Sequence, residues 1–292
     1  KRKGKRIVTT AIEHESVLQS VDELEKQGFE VIRLMPDKQG RITEQQVFDA
    51  VNSDTTLVSM MYVNNEVGSI MPVKSIKKAV KRANAPALIH IDCVQAFGKL
   101  EVKPSKLGAD LVTVTAHKIH GPKGVGALYL KKGTRILPRV FGGEQEKKLR
   151  PGTEAIPLIA GFGVAADLIP DLKKQSEKIK EINTYAREGL LTVPGVKINS
   201  GDDASDYIIN LFVPTFMTSQ TVVQHLSSKY GVYVSNGSAC AKGKRSHVLT
   251  AMKLDDKIIE KSIRVSFSRT TTKGDIDEFV NAIKETVVQY PM

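Results

Sequence analysis

The sequence predicts an α/β protein: a mostly parallel, doubly wound sheet followed by a smaller α/β unit. Three observations carry that expectation. Short apolar runs of strand length alternate with amphipathic segments of helical length through the first half of the chain. Several of those runs end on polar residues, where open parallel sheets place their ligand crevice. A long helical stretch then separates this half from a second group of strands and helices. The boundary falls near residue 155, with a large domain over 1–155 and a connecting helix plus small domain over 156–292.

Taken in order, 6–10 reads as a strand, and Glu13-His14-Glu15-Ser16-Val17 turns the chain into a helix that runs to Gln27. Residues 29–34 form the next strand, and Thr43 is placed to cap a helix over 43–51. The run 56–62 is continuously apolar, as strands buried on both faces are, and it ends at Asn64-Asn65-Glu66-Val67-Gly68. A basic helix over 73–84 leads to a strand at 87–91 that stops at Asp92, followed by Cys93 and Gln95. Residues 111–114 and 127–130 read as two buried strands around a glycine-rich turn with Thr115, His117, Lys118 and His120. The glycine spacing of that turn is wrong for a dinucleotide fingerprint. Beyond Gly152-Thr153, a helical stretch over 156–191 is interrupted by Pro170. Strands at 196–199, 208–213, 232–235 and 262–267 follow, with helices at 219–230 and 273–289 and a short helix after the loop 236–245.

Composition bounds the function. A chain of 292 residues can bury a full core, and 41% hydrophobic with 26% charged residues is ordinary for a globular protein. No apolar run approaches membrane-spanning length and no signal pattern opens the chain, so no membrane partner is expected. Two cysteines, Cys93 and Cys240, make no disulfide framework and point to a reducing cytoplasm. The net charge of +11 raises nucleic acid or an acidic protein as partners. It is scattered over helix-like segments such as 173–180 without a nucleic-acid motif, which argues against nucleic acid. The chain begins at Lys1 and enters a strand almost at once, so it reads as the middle of a longer protein.

Asn65, Asp92, Gln95, Thr115, His117 and Lys118 follow different strands yet converge on one crevice in such a sheet. A lysine desolvated there becomes a nucleophilic amine suited to imine chemistry, whereas on a plain hairpin turn it is an exposed charge. Asp92 at a strand end suits a protonated pyridine nitrogen, or equally a helix N-cap. Gln95 suits a ring oxygen or a helix surface. Thr115 and His117 suit a phosphate, or are satisfied turn residues. Together the set is what pyridoxal 5'-phosphate (PLP) requires of a protein. No metal site is called for. The loop around Cys240 is small and polar and carries cations that favour thiolate, so Cys240 reads as reactive and Cys93 as core. Arg264, inside a strand, suits a carboxylate or a structural ion pair.

The motifs TAIEHESVL, YVNNEVG, HIDCVQAFGK, TAHKIHGPKGVGALYL, RPGTE, SNGSACAKG and SIRVSFSRTTT, in that order over nearly the whole chain, resemble the NifS/IscS-like cysteine desulfurases. These are PLP-dependent enzymes of the class V aminotransferase group, with fold type I. The resemblance implies that Lys118 bonds the cofactor and later shuttles protons, and that His14 stacks on its ring and serves in acid–base steps. It implies that Asp92 pairs with the pyridine nitrogen, that Gln95 and Asn65 lie near the ring oxygen or substrate, and that Thr115 and His117 hold the phosphate. Thr153 would reach the phosphate of a neighbouring subunit, which implies a homodimer. Arg264 would grip the carboxylate of L-cysteine, and Cys240 would take the sulfur as a persulfide. The sulfur would then pass to an acceptor such as an iron–sulfur scaffold, or serve tRNA thiolation. Two departures from the family pattern stand out. A preceding segment with a Gly-Gly-Thr phosphate turn is absent from the sequence, and the cysteine loop is somewhat shorter and more basic than in IscS-like relatives. Selenocysteine lyase shares the fold and nearly all these residues. A non-catalytic piece that binds a partner through its basic surface is the alternative from another class.

Overall fold

In the computed structural model, residues 4–237 and 245–292 are described; Cys240 lies outside them. The first half alternates strand and helix: β1 (Arg6–Thr10), α1 (Glu15–Lys26), β2 (Glu30–Leu34), α2 (Glu44–Ala50), β3 (Thr55–Met61), α3 (Val73–Arg82) and β4 (Leu88–Asp92). A short α4 (Pro104–Leu107), β5 (Leu111–Thr115) and β6 (Gly126–Leu130) complete it. Side chains at the helix entrances explain where the helices start. The His14 ring accepts from the Ser16 amide to open α1, and Thr43 and Gln46 form a reciprocal capping box on α2.

These strands make one sheet in the order β2-β1-β3-β4-β5-β6, parallel except for β6. The chain winds outward from β1 to β2, then crosses back to β3 on the other side of β1, which creates a topological switch point at the carboxyl edge. Val8, Val58, Met60 and Ile91 are wholly buried in the sheet, and Ile76 of α3 joins the same core.

The predicted helical stretch divides around Pro170 into α5 (Ile156–Asp167) and α6 (Leu172–Leu191). β7 (Lys197–Ile198), β8 (Ile208–Phe212) and β9 (Ser262–Ser266) then form an antiparallel sheet in that order. Helices α7 (Ser219–Tyr230) and α10 (Lys273–Gln289) pack with α6 on a second core that holds Ile179, Leu190, Ile209, Leu211, Leu226 and Ile283. The chain after the cysteine loop forms α8 (His247–Ala251) and α9 (Asp256–Glu260). Their Val248, Leu249, Met252 and Ile259 enter the first core, so the two halves interlock rather than sit side by side. Among the described residues, no helix is long and apolar enough to cross a membrane.

Three expectations need correction. β6 is not buried: it closes the open edge of the sheet, and Leu128 and Tyr129 remain 47% and 41% exposed. Residues 232–235 are not a strand; Ser235 alone bridges to Arg264, while Tyr233 points outward and the Val232 amide turns back to the Leu226 carbonyl. α4 was not anticipated, because a four-residue helix is too short to show a period. Leu211, fully buried at the centre of the second core, tests that packing. Leu211→Ala should cost about 2–5 kcal/mol in urea unfolding, and a loss below about 1 kcal/mol would show the core is loosely built.

Candidate active site

Register places the site. Met61 pairs with Asp92 and Asp92 with Thr113, so β3 and β4 end level at the carboxyl edge of the sheet and β5 runs two residues further, to Thr115. Just beyond them opens a cleft of about 440 Å³. His14, after β1, and Asn65, in the turn after β3, line one part of it, with Asp92 and Gln95 following β4. Thr115, His117 and Lys118 follow β5, and Arg264 reaches in from β9 of the second sheet. The six residues expected to converge from the strand ends line this one cleft, and so do His14 and Arg264, which the family resemblance had added. Thr153 is not among the lining residues; it sits exposed on the chain leading into α5.

Each side chain is held by local contacts. Asp92 Oδ1 accepts from the Val94 amide at 2.9 Å, so this aspartate caps its own turn and also faces the cleft. Gln95 is nearly buried, and its Oε1 accepts from Lys99 Nζ at 3.0 Å, which fixes the amide so that Nε2 remains to donate. Thr115 Oγ1 lies 2.9 Å from His117 Nδ1, placing hydroxyl and imidazole together at the end of β5. Burial, then the charges of Lys118 and Lys123, push the His117 imidazole below its usual range. Such a positive field suits an anion. Arg264 Nη1 donates to the Asn65 carbonyl at 2.9 Å, which ties the second sheet to the turn after β3. Asn65 Oδ1 is buried with no hydrogen-bond partner among the described residues, although it lines an open cleft.

The structure adds groups that the sequence reading passed over. Glu13 is wholly buried; its Oε1 accepts from Thr10 Oγ1 at 2.8 Å and from the Met61 amide at 3.0 Å. Burial, with a contribution from the charge of Asp92, raises its carboxyl to about 8. Glu66, 2% exposed, lines the cleft beside His247, whose Nε2 donates to the Glu13 carbonyl at 2.9 Å. Lys99 has its amine enclosed behind Gln95, and burial followed by the charges of Lys118 and Arg264 lowers it to about 8. His90 links Ser59 and Thr113 inside the sheet, and burial keeps it below its usual range. Both acids stand in motifs already noted, Glu13 next to His14 and Glu66 next to Asn65; charge beside an apolar run was the available signal. Cys93 is wholly buried, and burial pushes its thiol up to about 12, as suits a core residue.

Comparison with known proteins agrees with this geometry. The aminotransferase class-V family matches residues 1–279. Cysteine desulfurase IscS of Methanosarcina thermophila is 38% identical over 289 residues, which cover 98% of this chain and 70% of that protein. Among solved structures, a NifS-like protein superposes with a TM-score of 0.90 at 34% identity, over 98% of this chain and 76% of that one. A structure of SspA in complex with cysteine has a TM-score of 0.77 at 32% identity, over 92% of this chain and 75% of that one.

The buried Glu13 has a measurable consequence. The folded protein keeps its proton up to about 8, whereas the unfolded chain releases it near the ordinary value of 4.5. Over that window the folded state binds more protons, so this group makes stability fall as pH rises. Urea unfolding at pH 5 and pH 8 should show Glu13→Gln gaining on the parent protein at the higher pH. Parallel profiles would remove Glu13 from the account.

Proposed function

The chain belongs to the aminotransferase class-V family, within its cysteine desulfurases, and from that premise we propose that it converts L-cysteine to L-alanine and leaves the sulfur as a persulfide on Cys240. The observation that carries this reading is the single cleft that gathers His14, Asn65, Asp92, Gln95, Thr115, His117, Lys118 and Arg264. Gly237 and Arg245, which flank the segment bearing Cys240, line the same cleft.

The residues present fit PLP. The Asp92 carboxylate would hold the pyridine nitrogen, Gln95 Nε2 would donate to the ring oxygen, and His14 would cover the ring. Thr115 and His117 would bind the phosphate in the positive field that already lowers the His117 imidazole. Lys118 would bond the cofactor's aldehyde carbon. When bound, PLP supplies an electron sink for the charge left at the substrate's Cα. The Lys118 amine then takes the proton from Cα and returns it during product formation. Arg264, anchored on the Asn65 carbonyl, would hold the substrate carboxylate. The Asn65 amide, with Oδ1 otherwise unsatisfied among the described residues, would bind the substrate beside it. The Cys240 thiolate attacks the substrate sulfur: a sulfur–sulfur bond forms as the carbon–sulfur bond breaks. The released electron pair remains on Cβ, which takes a proton to give alanine.

We further propose a homodimer. α5 is apolar along its length, yet Ile156, Ile159, Val164 and Leu168 at its exit are exposed, as are Leu128 and Tyr129 of β6 and Leu137, Val140 and Phe141 between them. A face of this size on one molecule is normally covered. Thr153 is exposed three residues before α5, so a second copy packed on α5 would bring it toward a neighbouring cleft. A reducing, cytoplasmic setting fits a reactive Cys240, and the persulfide would be passed to a sulfur-acceptor protein such as an iron–sulfur scaffold.

Cys240→Ser should abolish alanine formation from L-cysteine while the visible band of bound PLP persists; retained turnover in the variant would remove Cys240 from the mechanism. Light scattering on the PLP-loaded protein should return twice the mass of the chain, and a monomer mass would contradict the shared-site reading of Thr153.

A further inference from the structure

A second, smaller cavity of about 100 Å³ adjoins the main cleft. Lys118 lines both, and it is the one lining residue they share. Lys99 enters the smaller cavity from the chain after β4, His120 from the turn after β5, Gln175 from α6 and Arg269 from the chain after β9. Lys99 stands between the two spaces, since its amine donates to Gln95 of the main cleft at 3.0 Å.

The smaller cavity is electropositive. Among the described residues that line it there is neither an aspartate nor a glutamate. Burial, then the charges of Arg269 and Lys99, hold the His120 imidazole below its usual range. Burial, then the charges of Lys118 and Arg264, do the same to Lys99. All of these charges are positive, and gathering them in one place is costly unless an anion joins them. The cations are also held in position. Arg269 Nη1 donates to the Leu168 carbonyl at 2.9 Å, its own carbonyl accepts from Lys178 Nζ at 2.8 Å, and the Lys99 amine lies 5.3 Å from the centre of the Tyr207 ring.

Gln175 supplies the opposite kind of group. Its Nε2 donates to the Tyr207 hydroxyl and to the Gly98 carbonyl at 3.4 Å. That leaves Oε1 buried with no hydrogen-bond partner among the described residues, an acceptor that lacks a donor.

We propose that this cavity binds inorganic phosphate, with Lys99, His120 and Arg269 meeting its ionised oxygens and Gln175 Oε1 accepting from its remaining hydroxyl. Sulfate has the same shape but no hydroxyl, so it would set one acceptor against another. The volume holds a free phosphate and excludes a nucleotide. The site is separate from Thr115 and His117, which line only the main cleft.

Equilibrium dialysis with labelled inorganic phosphate tests this on the PLP-loaded protein, where the cofactor fills the phosphate position of the main cleft. Wild type should bind about one phosphate per chain and prefer it to competing sulfate by about tenfold or more. Arg269→Gln and Lys99→Met should each weaken binding about tenfold or more, as the loss of a charge-assisted hydrogen bond does. Gln175→Leu removes the acceptor and should bring the preference over sulfate to within about threefold. His117→Ala should leave phosphate binding within about threefold of wild type, because it touches only the main cleft. No bound phosphate, equal affinity for sulfate, unchanged binding in both cation variants, or binding lost in His117→Ala would overturn the proposal. A protein that takes up no PLP would overturn the cofactor reading alone, and the same titration on His117→Ala would still decide the second cavity.

Discussion

The parallel pairing of β3, β4 and β5 is the constraint on which the rest depends. Parallel strands must all present their carboxyl ends at one edge, and the register of Met61, Asp92 and Thr113 ends β3 and β4 level, with β5 continuing two residues to Thr115. Beyond that line the backbone has no further ladder to join. The chain leaves through polar turns, and Asn64, Asp92 and Thr115 satisfy their own turns with side-chain hydrogen bonds. Two of these terminating residues, Asp92 and Thr115, also line the wall of the cleft. The reversal of winding between β1 and β3 keeps that wall uncovered by crossover connections.

A second feature is how much ionisable chemistry is packed in and behind the wall. Glu13, Glu66, His90 and Lys99 all have their pKa values moved chiefly by burial, acids upward and bases downward. Each direction favours the neutral form. Hydrogen bonds hold this layer in place: Lys99 orients Gln95, and Glu13 clasps the Met61 amide at the end of β3. The second sheet contributes Arg264, which is fastened to the turn after β3 through the Asn65 carbonyl.

Much of this was legible in the sequence, for reasons that can be named. Strands β1, β3 and β4 show as apolar runs because burial on both faces removes polar residues from them. Their polar terminators show equally well, so six of the cleft's side chains could be gathered before any coordinates, and the family motifs added His14 and Arg264. What escaped was whatever depends on a neighbour far along the chain. An apolar run such as 127–130 looks buried, yet its place at the edge of the sheet leaves it exposed. Residues 232–235 have the composition of a strand, but only Ser235 finds a partner. Glu13 and Glu66 read as ordinary acids, since the partners of their carboxyls come from far along the chain, the Met61 amide for Glu13 and Ser246 for Glu66. Thr153 shows that a motif can place a residue near a site in sequence terms without placing it in this chain's own cleft.

The most direct test of the account is where PLP attaches. The protein is incubated with PLP, reduced with borohydride, digested and mapped by mass spectrometry. The account predicts a stable pyridoxyl group on Lys118, lost selectively when Asp92→Asn or His117→Ala weakens the cleft. Modification spread over exposed lysines, with Lys118 unlabelled, would contradict it.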